Sequence, residues 1–308
     1  SAQSLWTDEI YSVAVRGSLP VSDVLMMPQD PHPPLYYLLL RGWMEVVGTS
    51  PWAVRSLSVF CSVSAVYVVY LLGTRLFDDE TGLVVAALLA VSVFHIHVGR
   101  TARMYAPFVL FTAVSWYSLL DVRTGSTLQR AGYAVTTAAV LYIHAFGVFV
   151  VAAQWIYFVI APPQTGDRGP EWRAVLGVGV LSLPLVYLLG KVLYQMVVTT
   201  GPALDWIPAP TVGLLSKIGL LYAGYPNIYP ILGGSGKTQL LAAVVATIFV
   251  VAIALSIFEY DFETGFGLSP PRANAQMLVL AIVPSGGPLI VSVLYEPVLV
   301  PRYTIPAT

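Results

Sequence analysis

The sequence predicts an all-α, polytopic transmembrane helix bundle, and three observations carry that prediction. Of its 308 residues 57% are apolar and only 10% charged, with a mean hydropathy of +0.76, well outside the range of a soluble domain. Apolar runs approaching the roughly 20 residues that a bilayer requires recur along the whole chain. No Asp or Glu stands at the centre of any of these runs.

Eight segments qualify as spans: 52–73, 82–99, 104–120, 131–144, 146–160, 174–196, 239–258 and 275–295. The two on either side of His144 are short, so they read either as one long helix or as two tilted ones. The run 33–47 is also short, carries Arg41 and Glu45 and ends at "GTSP". It is expected to lie in the interface, not to cross. Within the long connection 197–238, Leu214, Leu215, Ile218, Leu221 and Tyr222 mark one face of an amphipathic helix resting on the bilayer.

Alternate crossing then sorts the connections into two groups. Segments 74–81, 121–130, 161–173 and 259–274 fall on one side. Segments 1–51, the turns at 100–103 and near His144, 197–238 and 296–303 fall on the other, and every residue suited to chemistry falls with them. The positive-inside rule gives no support for orientation, because the first side holds six cations and the second nine, counting Arg55 and Lys191 near the ends of their spans. The whole of 1–308 is expected to form a single transmembrane domain, with 1–51 as a first outer loop and 197–238 as a second. Ser1 in place of a start methionine, and the ending "PRYTIPAT", lead us to expect a part of a longer protein lacking a leading helix and several trailing ones; no signal peptide is visible.

Several function classes recede on these grounds. A net charge of −1 without a basic tail offers nothing to nucleic acid. One cysteine, Cys61, inside an apolar run excludes an intramolecular disulfide and reads as packing. An ion-coupled transporter usually keeps an acid near the midplane. Here the polar chemistry gathers at one membrane face, which suits an enzyme working at the interface.

Five constellations stand on that face. "LWTDEIYS" places Asp8 and Glu9 side by side after Trp6. "DPHPPLYYLLL" sets Asp30, His32, Pro33 and Pro34 before a helix; prolines suit a first helical turn and an acid suits its positive end, which leaves His32 unexplained. "GRTARMYAP" brings Arg100, Arg103 and Tyr105 to a helix head, as interfacial anchors or as a phosphate fork. "LDWIPAPTVG" carries Trp206, and "EPVLVPRY" carries Arg302 and Tyr303. Two decoys are set aside. "GGSGKTQ" lacks the leading glycine of a phosphate loop, and the histidines of "HIH", at i and i+2, point to nearly opposite sides of a helix.

Taken in order, these pieces resemble the polyprenyl-phosphate-sugar-dependent glycosyltransferases of the GT-C fold, the superfamily of protein O-mannosyltransferases and the lipid A aminoarabinose transferase. The resemblance rests on Trp6, Asp8 and Glu9; His32 to Leu39; Gly48, Ser50, Ala53, Arg55 and Ser58; Ala102 to Ala106; Tyr142, His144, Phe146 and Gly147; Trp206, Pro208 and Pro210; and Pro301 to Tyr303 with Pro306. Where that pattern has Gln-Glu before Ala-Arg-Met-Tyr, this chain has Arg100 and Thr101, so one carboxylate is missing.

The resemblance implies a cell-membrane, multi-pass enzyme whose site faces away from the cytoplasm. It implies transfer of a sugar, hexosyl or pentosyl, from a polyprenyl-phosphate donor to a hydroxyl of a protein, lipid or glycan acceptor, with inversion. Asp8 is expected to be the base and Glu9 to share or orient that role. Arg103 and Arg302 are expected to hold the departing phosphate. Tyr36, Tyr105, His144, Trp206 and Tyr303 are expected to bind substrate. Asp30 and His32 are expected to bind the sugar, the phosphate or a divalent cation, with the choice open. A flippase for lipid-linked sugars and an inactive scaffold are the alternatives.

Overall fold

Twenty-six consecutive residues without an acid, Pro51–Leu76, form α4, which among the described residues is the helix long and apolar enough to cross a membrane. At 1.5 Å per residue it is about 39 Å long, enough to cross a bilayer. Ser50 starts it, accepting the Ala53 N–H on its side chain at 3.2 Å, and Pro51 fills the first turn, where a missing N–H costs nothing. The structure is a computed structural model describing residues 4–26, 32–160, 169–195, 259–261, 265–267 and 283. The expected spans at 239–258 and, apart from residue 283, at 275–295, and the amphipathic helix in 197–238, lie outside the described residues.

Two compact units divide the chain: Ser1–Val151 with Pro163–Ala203, and Ala152–Pro162 with Leu204–Thr308. The first holds α1 (Thr7–Ile10), a π-helical turn (Tyr11–Arg16), α2 (Val21–Met26), α3 (Leu35–Val47), α4, α5 (Asp79–Val91), α6 (Val93–Gly99), α7 (Tyr105–Leu119), α8 (Thr127–Ile143) and α10 (Gly169–Gln195). Helix α9 (Gly147–Ile160) begins in the first unit and ends in the second. The second unit also contains a small antiparallel ribbon, β1 (Glu259–Asp261) on β2 (Gly265–Gly267), inside the connection expected to be a plain loop.

In the first unit α4 packs against α5 and α7, α7 against α8, and α8 against α10. The core between them is apolar: Val54, Ala65, Phe108, Trp116, Tyr133 and Val140 are all buried. The outward sides are apolar too, with Phe60, Val63 and Tyr67 of α4, Leu83 and Leu88 of α5 and Leu176, Leu183 and Tyr187 of α10 exposed. Large exposed apolar faces of this kind mark a surface that water does not cover.

Three expected segments are refined. The run 82–99 is two helices, because Ser92 is extended (φ −60°, ψ 117°) and its hydroxyl accepts the His95 N–H at 3.4 Å, starting α6 afresh. The pair around His144 is two helices as well, since His144 is extended (φ −148°, ψ 136°). The short run after the prolines is helix α3, buried along Tyr36, Tyr37 and Leu40 and stopped by Gly48 at φ 98°, a left-handed position that favours glycine. Its charges are local: Arg41 meets Glu45 at 3.5 Å and donates to the Leu19 carbonyl.

Candidate active site

Glu9, in the single turn of α1, has no exposed surface, and both of its oxygens are engaged. Arg55 of α4 binds it through Nε to Oε1 at 2.9 Å and through Nη2 to Oε2 at 2.6 Å. Two backbone N–H groups complete the set, Ala102 to Oε1 at 2.8 Å and Trp6 to Oε2 at 3.2 Å. Burial pushes the Glu9 carboxyl up, but Arg55 and the Ala102 and Trp6 N–H groups outweigh it and hold it below the usual glutamate range. A carboxylate so occupied joins three segments, the first loop, α4 and the turn before α7. It orients its neighbours and has no oxygen to spare for a proton.

Asp8, next in the chain, is half-buried. Its backbone carbonyl accepts from Arg103 Nη1 at 3.2 Å and from the Ser12 hydroxyl at 3.0 Å. Ser12 Oγ in turn accepts from Arg103 Nη1 at 3.1 Å. Ser12 stands in the π-helical turn, which closes through Gly17 N–H to the Ser12 carbonyl at 2.9 Å. The result is a short ladder that places an acid beside a guanidinium from more than ninety residues away.

Arg103 itself is 5% exposed, and its Nε has no acceptor. Burial opposes its charge, while Tyr105, Tyr37, Asp8 and Tyr36 around it favour the charged form. The Tyr36 hydroxyl, fully buried on α3, also has no hydrogen-bond partner. A buried cation with a spare N–H and a hydroxyl with none satisfied is costly as it stands. An anionic oxygen placed between them would relieve both.

A ring cluster adjoins this pair. His144, buried at the end of α8, stacks on Phe108 at 5.0 Å and lies 6.0 Å from the Tyr105 ring and 6.4 Å from His32. His32 is half-exposed, so the cluster has an open side. Thus Asp8, Glu9, His32, Tyr36, Arg103, Tyr105 and His144, seven of the expected residues, gather in one unit. Asp30, Trp206, Arg302 and Tyr303 lie outside the described residues. Two partners were given no role from sequence: Ser12, for which the chain offers no signal, and Arg55, which entered only as one of the residues carrying the resemblance. The missing carboxylate position is Thr101, whose hydroxyl turns back to the Val98 carbonyl at 3.0 Å.

Residues that sequence reasoning set aside stay apart. His95 is buried, with a ring nitrogen 2.7 Å from Ser62 Oγ, whereas His97 is exposed, so the "HIH" pair does not converge. Among the described residues no group of three His, Cys, Asp or Glu is placed to hold a metal ion.

A helical membrane bundle whose first unit gathers acid, arginine and aromatic side chains in one cluster is therefore the class of protein in hand. Residues 31–188, just over half of the chain, match the family described as dolichyl-phosphate-mannose-protein mannosyltransferase, and the chain belongs to that family. Among solved structures it is similar to the crystal structure of ArnT from Cupriavidus metallidurans in the apo state, with a TM-score of 0.53 and 14% identity. That likeness covers 92% of this chain and 55% of the other, so the chain spans little more than half of the solved protein's length. At this identity it is a likeness of fold, and the fold is the GT-C bundle. No curated protein matches the chain.

Proposed function

We propose that the chain belongs to an integral membrane glycosyltransferase that moves a sugar from a polyprenyl-phosphate donor to an acceptor hydroxyl on the non-cytoplasmic side. The observation that carries this reading is the buried Arg103 guanidinium, with its Nε lacking an acceptor and with the partnerless Tyr36 hydroxyl and Asp8 among its electrostatic neighbours. A phosphate oxygen is the group best matched to a fixed fork of N–H donors beside a hydroxyl.

The chemistry asks little more of the residues. A phosphate monoester is already a weak base as it leaves, so fixed positive charge aimed at the developing anion serves better than a general acid. Asp8 takes the proton of the acceptor hydroxyl as that oxygen bonds to the sugar carbon and the bond to phosphate breaks. A single displacement of this kind inverts the carbon. A positioned base contributes about 10² to 10⁴ in rate. Glu9, fully engaged by Arg55, holds Asp8 and the Arg103 turn in register.

Asp8→Asn in the full-length membrane protein, assayed with a polyprenyl-phosphate sugar and a panel of hydroxyl acceptors, is expected to lose transfer by at least 10²-fold with insertion intact. Turnover at the wild-type rate removes Asp8 as the base. Movement of the lipid-linked sugar across vesicles by the wild type, without any glycosylated product, would favour a flippase instead.

A further inference from the structure

The motif "YIHAFG" at 142–147 has a local geometry that fixes more than a turn. The His144 N–H still bonds back to the Val140 carbonyl at 3.2 Å, after which the chain leaves the helix, and Gly147 donates to the His144 carbonyl at 2.8 Å. Gly147 is required there, because a Cβ on it would lie 2.7 Å from the Val140 carbonyl oxygen. Between them, the Phe146 backbone N–H donates to His144 Nδ1 at 3.1 Å. An N–H can only be received by a ring nitrogen that carries no proton, so in the neutral ring the proton sits on Nε2.

We infer that His144 is a fixed hydrogen-bond donor of the candidate site, offering Nε2–H to an oxygen of the donor's phosphate, and that it does not ligate a divalent cation. This rests on the glycosyltransferase reading above. The Phe146 N–H at 3.1 Å holds Nδ1 on its side, while Phe108 stacked at 5.0 Å and 23° and Phe146 edge-on at 5.6 Å fix the ring plane. Ligating a metal through Nε2 would require the proton to move to Nδ1, where it would face the Phe146 N–H, donor against donor. The Tyr105 ring, 6.0 Å from His144, is also an electrostatic neighbour of Arg103, so the imidazole and the guanidinium flank one tyrosine, with the half-exposed His32 on the open side. An anion there would be held by Arg103 and by a neutral donor whose direction the backbone has set.

Two substitutions separate this role from a purely structural one. The amide nitrogen of Gln reaches where Nε2 stands, whereas the amide oxygen of Asn reaches where Nδ1 stands. Dissociation constants for sugar-free polyprenyl phosphate, measured on the full-length protein in nanodiscs, should therefore be roughly tenfold or more weaker for His144→Asn than for His144→Gln, about one charge-assisted hydrogen bond. The turn itself should favour Asn, so melting temperatures should rank the two variants the other way. The chain has only four histidines, so ¹⁵N-histidine spectra of the wild type, assigned with His144→Gln, should show Nδ1 bare and Nε2 protonated. Manganese should leave that signal unbroadened.

Asn binding as tightly as Gln, the opposite tautomer, broadening by manganese, or no binding of polyprenyl phosphate by the wild type each overturns the inference. A contrast that appears only with the sugar attached also overturns it, since the accepting oxygen would then belong to the sugar. If the wild type transfers sugar while Asn and Gln bind alike, the inference falls and the enzyme reading stands. If the wild type binds polyprenyl phosphate with the expected contrast and never transfers, the enzyme reading falls alone.

Discussion

Glu9 and Arg55 concentrate the electrostatic cost of the site in one buried pair. Glu9 has no exposed side-chain surface and Arg55 is 21% exposed, so removing one partner leaves a charge in poor solvent. Glu9→Gln is expected to destabilise the detergent-solubilised protein by roughly 3 kcal/mol, near the low end for a buried pair because Arg55 keeps some water. The sign of the pH dependence follows from the depressed carboxyl. Its contribution is complete above the ordinary glutamate value of 4.5 and is lost as pH falls below that value through the lower folded one. Melting temperatures of the wild type should therefore drop across that acid range, and the drop should shrink in Glu9→Gln; an equal drop in both would assign the acid sensitivity elsewhere. This division of labour was only half legible in the sequence. Adjacent acids near a tryptophan mark Asp8 and Glu9 as unusual in so apolar a chain. Which of the two is braced depends on a bond to Arg55, 46 residues away, that no local pattern records.

Helix packing at the hairpin of α4 and α5 is set by two glycines. A Cβ on Gly73 would lie 2.7 Å from the Gly82 Cα, and one on Gly82 would lie 2.5 Å from Thr74 Cγ2 and 2.9 Å from the Tyr70 carbonyl. Backbone cannot yield as a side chain can, so Gly82→Val is expected to cost about 1–3 kcal/mol and to lower the melting temperature clearly. Gly42, on the exposed side of α3, has nothing within 4 Å of the same construction. Gly42→Ala should instead stabilise by about 0.5–1 kcal/mol, through the lower entropy of the unfolded chain. Melting curves of the two variants test the pair together, and an unshifted Gly82→Val would mean the hairpin is not closely packed. Periodic apolar length located α3, α4, α7, α8 and α10 to within about five residues, α3 from its two prolines, but not α1, the π-helical turn or α2, which are too short for a period to register. It did not locate the break at Ser92, because a single serine in an apolar run looks the same from sequence whether it caps a new helix or faces a neighbour. The ribbon of Glu259–Asp261 on Gly265–Gly267 was equally hidden, since three residues a side is too short for alternation to register.

Along the first unit the polar residues separate into two ends, and the length of α4 measures the distance between them. Arg55 stands near its start, with Glu9, Asp8 and Arg103 around it. Arg75 stands near its finish, about 30 Å away at 1.5 Å per residue, bound to Asp121 at 2.6 Å and 3.1 Å and lying 4.8 Å over the Tyr117 ring. Arg123 pairs with Glu171 in the same set of connections, 121–130 and 161–173. Side chains at one end of α4 thus pair among Arg75, Asp121, Arg123 and Glu171, and those at the other among Glu9, Arg55, Arg103 and the first loop. Cation counts alone gave no orientation, because here arginines serve buried pairs at both ends and do not simply record which loops stayed inside. Sidedness is therefore best tested by access. The lone cysteine, Cys61, is buried, so Cys61→Ser provides a silent background. Val46, 85% exposed at the end of α3, and Leu128, 81% exposed at the start of α8, then report the two ends. In intact cells a membrane-impermeant maleimide is expected to label Val46→Cys and to reach Leu128→Cys only after permeabilisation. The reverse pattern would put Asp8 and Arg103 on the cytoplasmic side, where an externally acting transferase has no use for them, and equal labelling of both in intact cells would mean that α4 does not cross the bilayer at all.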